Sequence, residues 1–178
     1  MVPSVLVILA EGFEEIEAIT PIDLIRRSGA KVTVAGLGSL TVHGSHGIGV
    51  VCDKLFSDCL DEYDCVVLPG GSEGARNLAS SFAVLELCIR TSQKGTVAAI
   101  CAAPALVLGK TGLLDGKRVT GFPGTEIEGL SLQDSKVITD GFLITAQAAG
   151  SAVDFSLAII AKLFDAKTAE KIAAQIRF

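Results

Sequence analysis

The chain has 178 residues, 49% of them hydrophobic and only 20% charged, a balance that excludes disorder and fits a single domain over residues 1–178. A formal net charge of −5 supplies no basic field to hold nucleic acid or an anionic membrane surface. Five cysteines, Cys52, Cys59, Cys65, Cys88 and Cys101, include no Cys-x-x-Cys pair, which argues against a zinc or iron–sulfur centre and against a disulfide framework.

Residues 5–10 are apolar with no basic segment before them, and predict a first β-strand, not a signal peptide. A helix is expected over 16–28. Pro21 sits comfortably only in a first turn, so its regular part should begin near Glu17 or Ala18. A strand over 31–35, a loop rich in glycine and histidine over 36–49, and strands over 50–52 and 65–68 follow. Residues 69–74 read as a loop, 82–93 as a helix and 97–100 as a strand, with another helix after Cys101. Strands are expected over 118–120, 137–139 and 142–145, the last two joined by the turn signal Asp140-Gly141. An apolar helix should run from Ser151 to Phe164, opened by a capping box at Ser151-Ala152-Val153-Asp154, and a last amphipathic helix over 167–176. The longest apolar run, 97–108, is too short to cross a bilayer and contains Pro104. We therefore expect no membrane partner and a cytoplasmic location.

Strands such as 5–10 and 65–68 are apolar throughout, as when helices cover both faces of a parallel sheet. The expected class is α/β: a flavodoxin-like three-layer sandwich with a mostly parallel central sheet and a β-hairpin. Ligands bind such sheets at the carboxyl ends of the strands, near a topological switch point. Three loops at that edge, 11–17, 69–74 and the turn at Cys101, carry chemistry.

Cys101 lies at a strand-to-helix junction, where a side chain faces a helix amino end that favours thiolate over thiol. The plain alternative is a buried structural cysteine. Glu14, Glu15 and Glu17 stand at the start of a helix, where acids are common. Glu17 is placed to reach Cys101, whereas Glu14 and Glu15 should face solvent or pair with Arg26 and Arg27. A carboxyl beside a sulfur in a half-buried pocket shares one proton with it. The turn containing Gly70 and Gly71 is ordinary by itself, but beside Cys101 the N–H groups of Gly71 and Ala102 would form an oxyanion hole. His43 and His46 are far in sequence from acidic partners, so no metal site and no cofactor is expected.

Taken together, Val7-Ile8-Leu9-Ala10, Glu14-Glu15-x-Glu17, Pro21-x-Asp23, Arg26-Arg27-x-Gly29, Val67-Leu68-Pro69-Gly70-Gly71, Ala98-Ala99-Ile100-Cys101-Ala102-Ala103-Pro104, Asp140-Gly141 and Gly150-Ser151-Ala152-x-Asp154-Phe155 resemble the ThiJ/PfpI family, whose domain is of the class I glutamine amidotransferase type. The match is nearest to the branch of the parkinsonism-associated protein deglycase and bacterial YajL. It implies a homodimer with an oxidisable nucleophile (Cys101), a protonated glutamate partner (Glu17) and amides from Gly71 and Ala102. It also implies small aldehydes or glycated adducts as substrates, with glutathione-independent glyoxalase, deglycase, redox-sensor and chaperone roles described among members.

The sequence departs from that pattern at three places. The auxiliary histidine falls at Phe122, which carries no proton. The loop where an arginine reaches across the dimer reads Gly44-Ser45-His46-Gly47, leaving His46 as a cross-dimer substitute or plain loop structure. An Arg-Gly-Pro-Gly turn becomes Gln147-Ala148-Ala149-Gly150. Ala102 stands where the protease branch has histidine, which disfavours proteolysis. Gly109-Lys110-Thr111 imitates the end of a phosphate-binding loop, but Pro104 occupies its first glycine. The expected activity is detoxification of reactive carbonyls through Cys101 and Glu17. The rivals are a redox sensor or chaperone in which Cys101 becomes a sulfinate, and a catalytically silent binding protein.

Overall fold

The computed structural model describes the chain except Leu60 and residues 126–128. Strand β1 (Ser4–Leu9) leads into helix α1 (Glu15–Arg27), which returns the chain to β2 (Lys31–Gly36). A small antiparallel hairpin, β3 (Thr41–His43) and β4 (Gly49–Val51), precedes the two-residue β5 (Lys54–Leu55). Next come β6 (Cys65–Leu68), α2 (Ser72–Ala79), α3 (Phe82–Ser92), β7 (Thr96–Ile100) and a single turn, α4 (Ala103–Leu106). A second hairpin, β8 (Val137–Asp140) and β9 (Leu143–Ala146), is followed by α5 (Ala152–Leu163) and α6 (Ala166–Gln175).

The main sheet runs β5-β2-β1-β6-β7-β9-β8, parallel except for β8 against β9. Within β1, Val5, Val7 and Leu9 face a core shared with Ala18, Ile22 and Ile25 of α1 and Phe155 and Ile159 of α5. Leu6 and Ile8 face a second core with Leu78 of α2 and Leu87 of α3. Both faces are dry, which is why the strand shows no polar alternation. Each such buried side chain contributes roughly 1.5–3 kcal/mol, so the two layers hold helices on opposite faces of the sheet. The flavodoxin-like architecture read from the sequence is the one observed. From β1 the chain crosses to β2 on one side, while β6 lies on the other, so the connections diverge and open a crevice at the carboxyl edge.

Local expectations change where tertiary packing or glycine overrides the local signal. Helix α1 starts at Glu15, capped by Glu14, which accepts the Ile16 N–H at 3.3 Å, and Pro21 lies in its interior. An interior proline costs about 3 kcal/mol, which burial of Ala18, Ile22 and Ile25 offsets. The glycines of 36–49 conceal the β3–β4 hairpin, and Gly70-Gly71 conceals α2, whose Ala75, Leu78 and Ala79 are buried. Residues 118–120 form no strand. The Thr120 N–H donates to Thr145 Oγ1 and the Val119 carbonyl accepts from Gln133, taking both out of any ladder. The turn between β8 and β9 is Gly141-Phe142, since Asp140 pairs with Leu143. No capping box forms at Ser151, whose side chain makes no cap bond; Asp154 pairs instead with Lys136 at 3.6 Å.

Candidate active site

After β7 the backbone turns sharply at Cys101, which has φ +64°. That left-handed conformation costs a residue with a Cβ about 1–3 kcal/mol and persists only when its surroundings impose it. Here the Cys101 N–H donates to the Ala146 carbonyl at 2.9 Å, and the Cys101 carbonyl accepts the Phe122 N–H at 2.8 Å. Cys101 is half-buried, whereas Cys52, Cys59, Cys65 and Cys88 are buried, and all five are free thiols.

Glu17 is only 1% exposed. Its Oε2 accepts the Gly70 N–H at 2.9 Å, and its carboxylate accepts a hydrogen bond from the Cys101 thiol. The N–H groups of Gly71 and Ala102 point at the same sulfur. The structure thus brings Cys101, Glu17, Gly70, Gly71 and Ala102 together. Gly70 is needed for space, because a Cβ there would strike the Glu17 carboxylate and lie 2.7 Å from the Cys101 Cβ. Gly71 combines φ +83° with close passage under the backbone of residues 12–14.

Burial pushes the Glu17 carboxyl up to about 7, against the hydrogen bonds from Cys101 and Gly70 and with a small addition from Glu14. Burial likewise pushes the Cys101 thiol up, and the Glu17 charge adds to this, while the Gly71 and Ala102 amides oppose it. The expectation that a helix end would favour the thiolate is corrected here. Helix α4 is one turn long and its dipole is small, so burial wins. The pair therefore gives up one proton near neutral pH and keeps the second well into the alkaline range, a titration that belongs to both groups.

A pocket of about 570 Å³ opens over the sulfur. Glu14, Glu73 and Arg76 line it on the β1 and β6 side; Ala102, Phe122, Thr125, Ala148 and Ala149 line it from segments following β7 and β9. Glu73 and Arg76 were not singled out from the sequence. The readable signal was the apolar spacing of Ala75, Leu78 and Ala79, which makes 72–79 a helix and turns those two side chains outward. A cleft of about 420 Å³ elsewhere, lined by Ser4, Tyr63, Thr91 and Lys94 among others, contains no cysteine or histidine.

A sequence profile described as the DJ-1/PfpI family matches residues 3–162. The chain belongs to the DJ-1/PfpI family. It is 38% identical over 180 residues to the Parkinson disease protein 7 homolog of Danio rerio, covering 96% of this chain and 95% of that one. It is 37% identical to Protein DJ-1 homolog A of Arabidopsis thaliana, spanning 96% of this chain but only 45% of that longer protein. A protein of Pyrococcus abyssi named a deglycase is 32% identical over 82% of this chain and 90% of its own length. Among solved structures, oxidized DJ-1 of Toxoplasma gondii superposes with a TM-score of 0.94 at 36% identity, covering 99% of this chain and 98% of that one.

Two departures from the DJ-1/PfpI pattern now have a structural setting. Phe122 lines the pocket, 47% exposed, so an aromatic wall stands where the resemblance put a histidine. His46 does not line the pocket. Its Nδ1 lies 3.0 Å from Glu15 and 3.4 Å from Glu14, and its backbone N–H donates to Glu15 at 2.8 Å. Glu14 and Glu15 thus do not pair with Arg26 and Arg27, which bind Asp53 and Asp23, each at 2.9 Å. The histidines' distance from acids in sequence was misleading, since the fold returns the β3–β4 hairpin to the start of α1. His43 also sits 3.5 Å from Glu11. Burial raises the Glu15 pKa, but hydrogen bonds from the His46 side chain and from the His46 and Ile48 backbone outweigh it and hold it at about 2. The same contact raises His46. Ligand atoms of Glu14, Glu15 and His46 lie within 4.8 Å of one another, a spacing that admits a cation. Both Glu15 oxygens, however, already accept hydrogen bonds from Ser45, His46 and Ile48.

Proposed function

We propose that the protein is a cofactor-independent enzyme that converts small reactive 2-oxoaldehydes, or their early adducts with amines and thiols, to 2-hydroxy acids. The observation that carries this is the hydrogen bond between the Cys101 thiol and the buried Glu17 carboxylate, under two converging backbone amides. A proton passes from Cys101 to Glu17, and the thiolate attacks the aldehyde carbon to form a C–S bond. The carbonyl oxygen, held by the Gly71 and Ala102 amides, takes the proton back from Glu17 and a hemithioacetal results. Glu17, again a carboxylate, removes the hydrogen on that carbon as a proton and delivers it to the adjacent carbon, while the hydroxyl proton moves to the neighbouring oxygen. The first carbon is oxidised to a thioester as the second is reduced to an alcohol, so no outside oxidant is consumed. Water then cleaves the thioester and restores the thiol. Methylglyoxal supplied without glutathione should give lactate far in excess of enzyme. Lactate formation no faster than without protein, or unaffected by prior alkylation of Cys101, would remove this reading.

One observation favours a second reading. Phe122 puts a ring that carries no proton where the resemblance placed a histidine, which suits a sensor better than a fast catalyst. Two equivalents of peroxide would convert the thiolate to a sulfinate and release two waters, Glu17 then donating a hydrogen bond to the sulfinate. Intact mass after mild peroxide separates the two readings. Addition of two oxygens confined to Cys101, with weak carbonyl turnover, supports the sensor.

We also place the protein in the cytoplasm as a homodimer. Its five free thiols suit a reducing compartment, and no described helix is long and apolar enough to cross a membrane. Ile16 and Ile19 of α1 are exposed, as are Ile48 and Val51 of the hairpin whose Ile48 N–H reaches Glu15 of α1, and such exposed apolar groups suit a second copy. Ile16→Lys should shift the species seen in sedimentation from dimer to monomer; a wild type that sediments as a monomer would defeat the assignment.

A further inference from the structure

We infer that the pocket is built for a 2-oxoaldehyde carrying an aromatic or bulky apolar group, with Phe122 as the residue that selects it; this rests on the carbonyl-converting reading above. The order of the strands divides the pocket in two. Its acidic and basic residues among those described, Glu14, Glu17, Glu73 and Arg76, come from segments following β1 and β6, on one side of Cys101. On the other side β9 neighbours β7, and among the described residues the lining there is uncharged: Ala102, Phe122, Thr125, Ala148 and Ala149.

Phe122 is fixed by its own backbone, since its N–H donates to the Cys101 carbonyl at 2.8 Å, and the next turn is tied by the Thr125 N–H and hydroxyl to the Phe122 carbonyl. The backbone that carries the ring is therefore tied to Cys101, and the ring lines the same pocket as the sulfur while the residue remains 47% exposed. An aromatic side chain kept half-open at the wall of a pocket still has about half of its surface to bury against a ligand. A three-carbon aldehyde fills a small part of about 570 Å³ and leaves this wall wet. A substrate bonded to Cys101 through its aldehyde carbon and extended toward β9 meets the Phe122 ring and the alanine methyls, and no charged group among the described residues. An anionic substituent directed toward the β1 and β6 side meets the Glu14 and Glu73 carboxylates and the Arg76 guanidinium, a poorer site.

The test is the ratio of kcat/KM for phenylglyoxal, giving mandelate, to kcat/KM for methylglyoxal, giving lactate. Wild type should favour phenylglyoxal by about tenfold, and the ratio should fall to near one in Phe122→Ala, with Phe122→Leu between. A wild-type ratio at or below one, or a ratio that Phe122→Ala leaves unchanged, overturns the inference. If neither aldehyde is turned over, the enzymatic reading fails, and the wall is then tested by binding. Acetophenone should slow alkylation of Cys101 by iodoacetamide in wild type several-fold more than acetone does, and should lose that advantage in Phe122→Ala. Equal protection by the two ketones overturns the inference by that route.

Discussion

Cys101→Ser is expected to lower the glutathione-free conversion of 2-oxoaldehyde to 2-hydroxy acid by roughly a thousandfold or more, and Glu17→Gln by roughly 10²–10⁴-fold. The double variant should be hardly worse than Cys101→Ser alone, because a nucleophile and the acid that serves it act as a unit. The pH profile of alkylation at Cys101 separates the chemical role of Glu17 from mere packing. In wild type the pair loses its first proton near pH 7, where burial has brought the Glu17 carboxyl. Above that point one proton is shared between oxygen and sulfur, the thiolate fraction stops changing, and the rate should level off. Glutamine cannot share the proton. The remaining thiol then titrates alone, still raised by burial, and alkylation should keep climbing about tenfold per pH unit with no plateau. A Glu17→Gln protein that keeps the wild-type profile would show that the carboxyl plays no part in setting the reactivity of the sulfur.

The same carboxyl should weaken the fold as the pH rises. Its folded-state pKa, about 7, lies above the ordinary value of 4.5, so the folded chain holds this proton more tightly than the unfolded chain. The associated stability is complete below about pH 4.5 and is lost as the pH climbs through about 7. Its size is on the order of 3 kcal/mol from the displacement alone. Glu15 works in the opposite direction and in a different window. Its pKa of about 2 gives stability that is present above about 4.5 and lost as the pH falls toward 2. His46, raised by Glu15, retains its contribution until the pH passes its own elevated pKa. Denaturant titrations of wild type and Glu17→Gln at pH 4.5 and pH 8 isolate the Glu17 component. Wild type should lose about 3 kcal/mol more than the variant between the two, and equal losses would mean that Glu17 is not strained by ionisation.

The parallel sheet and its active edge were legible because they rest on signals that tertiary structure seldom overrides. Uninterrupted apolar runs such as 65–68 need two dry faces, and a cysteine at a strand-to-helix junction needs a sharp turn. The proximity of Glu17 to Cys101 was readable because each stands close to where a strand gives way to a helix at the carboxyl edge of the sheet. What sequence spacing concealed was contact between distant segments. His46 meets Glu15 only because the β3–β4 hairpin folds back onto α1, and Arg76 enters the pocket only because α2 begins immediately behind two glycines. Helix ends differ from the local rule where it met a stronger packing term, as at Pro21, or where the capping partner is engaged elsewhere, as Asp154 is with Lys136.

Pro21 has one more effect. Having no N–H, it cannot close the helical rung that would bind the Glu17 carbonyl four residues earlier. The main-chain oxygen of the acid is thus left out of the α1 ladder, while its carboxylate is clasped by Gly70 and Cys101, so the group that carries the proton is anchored to the sheet edge at its tip.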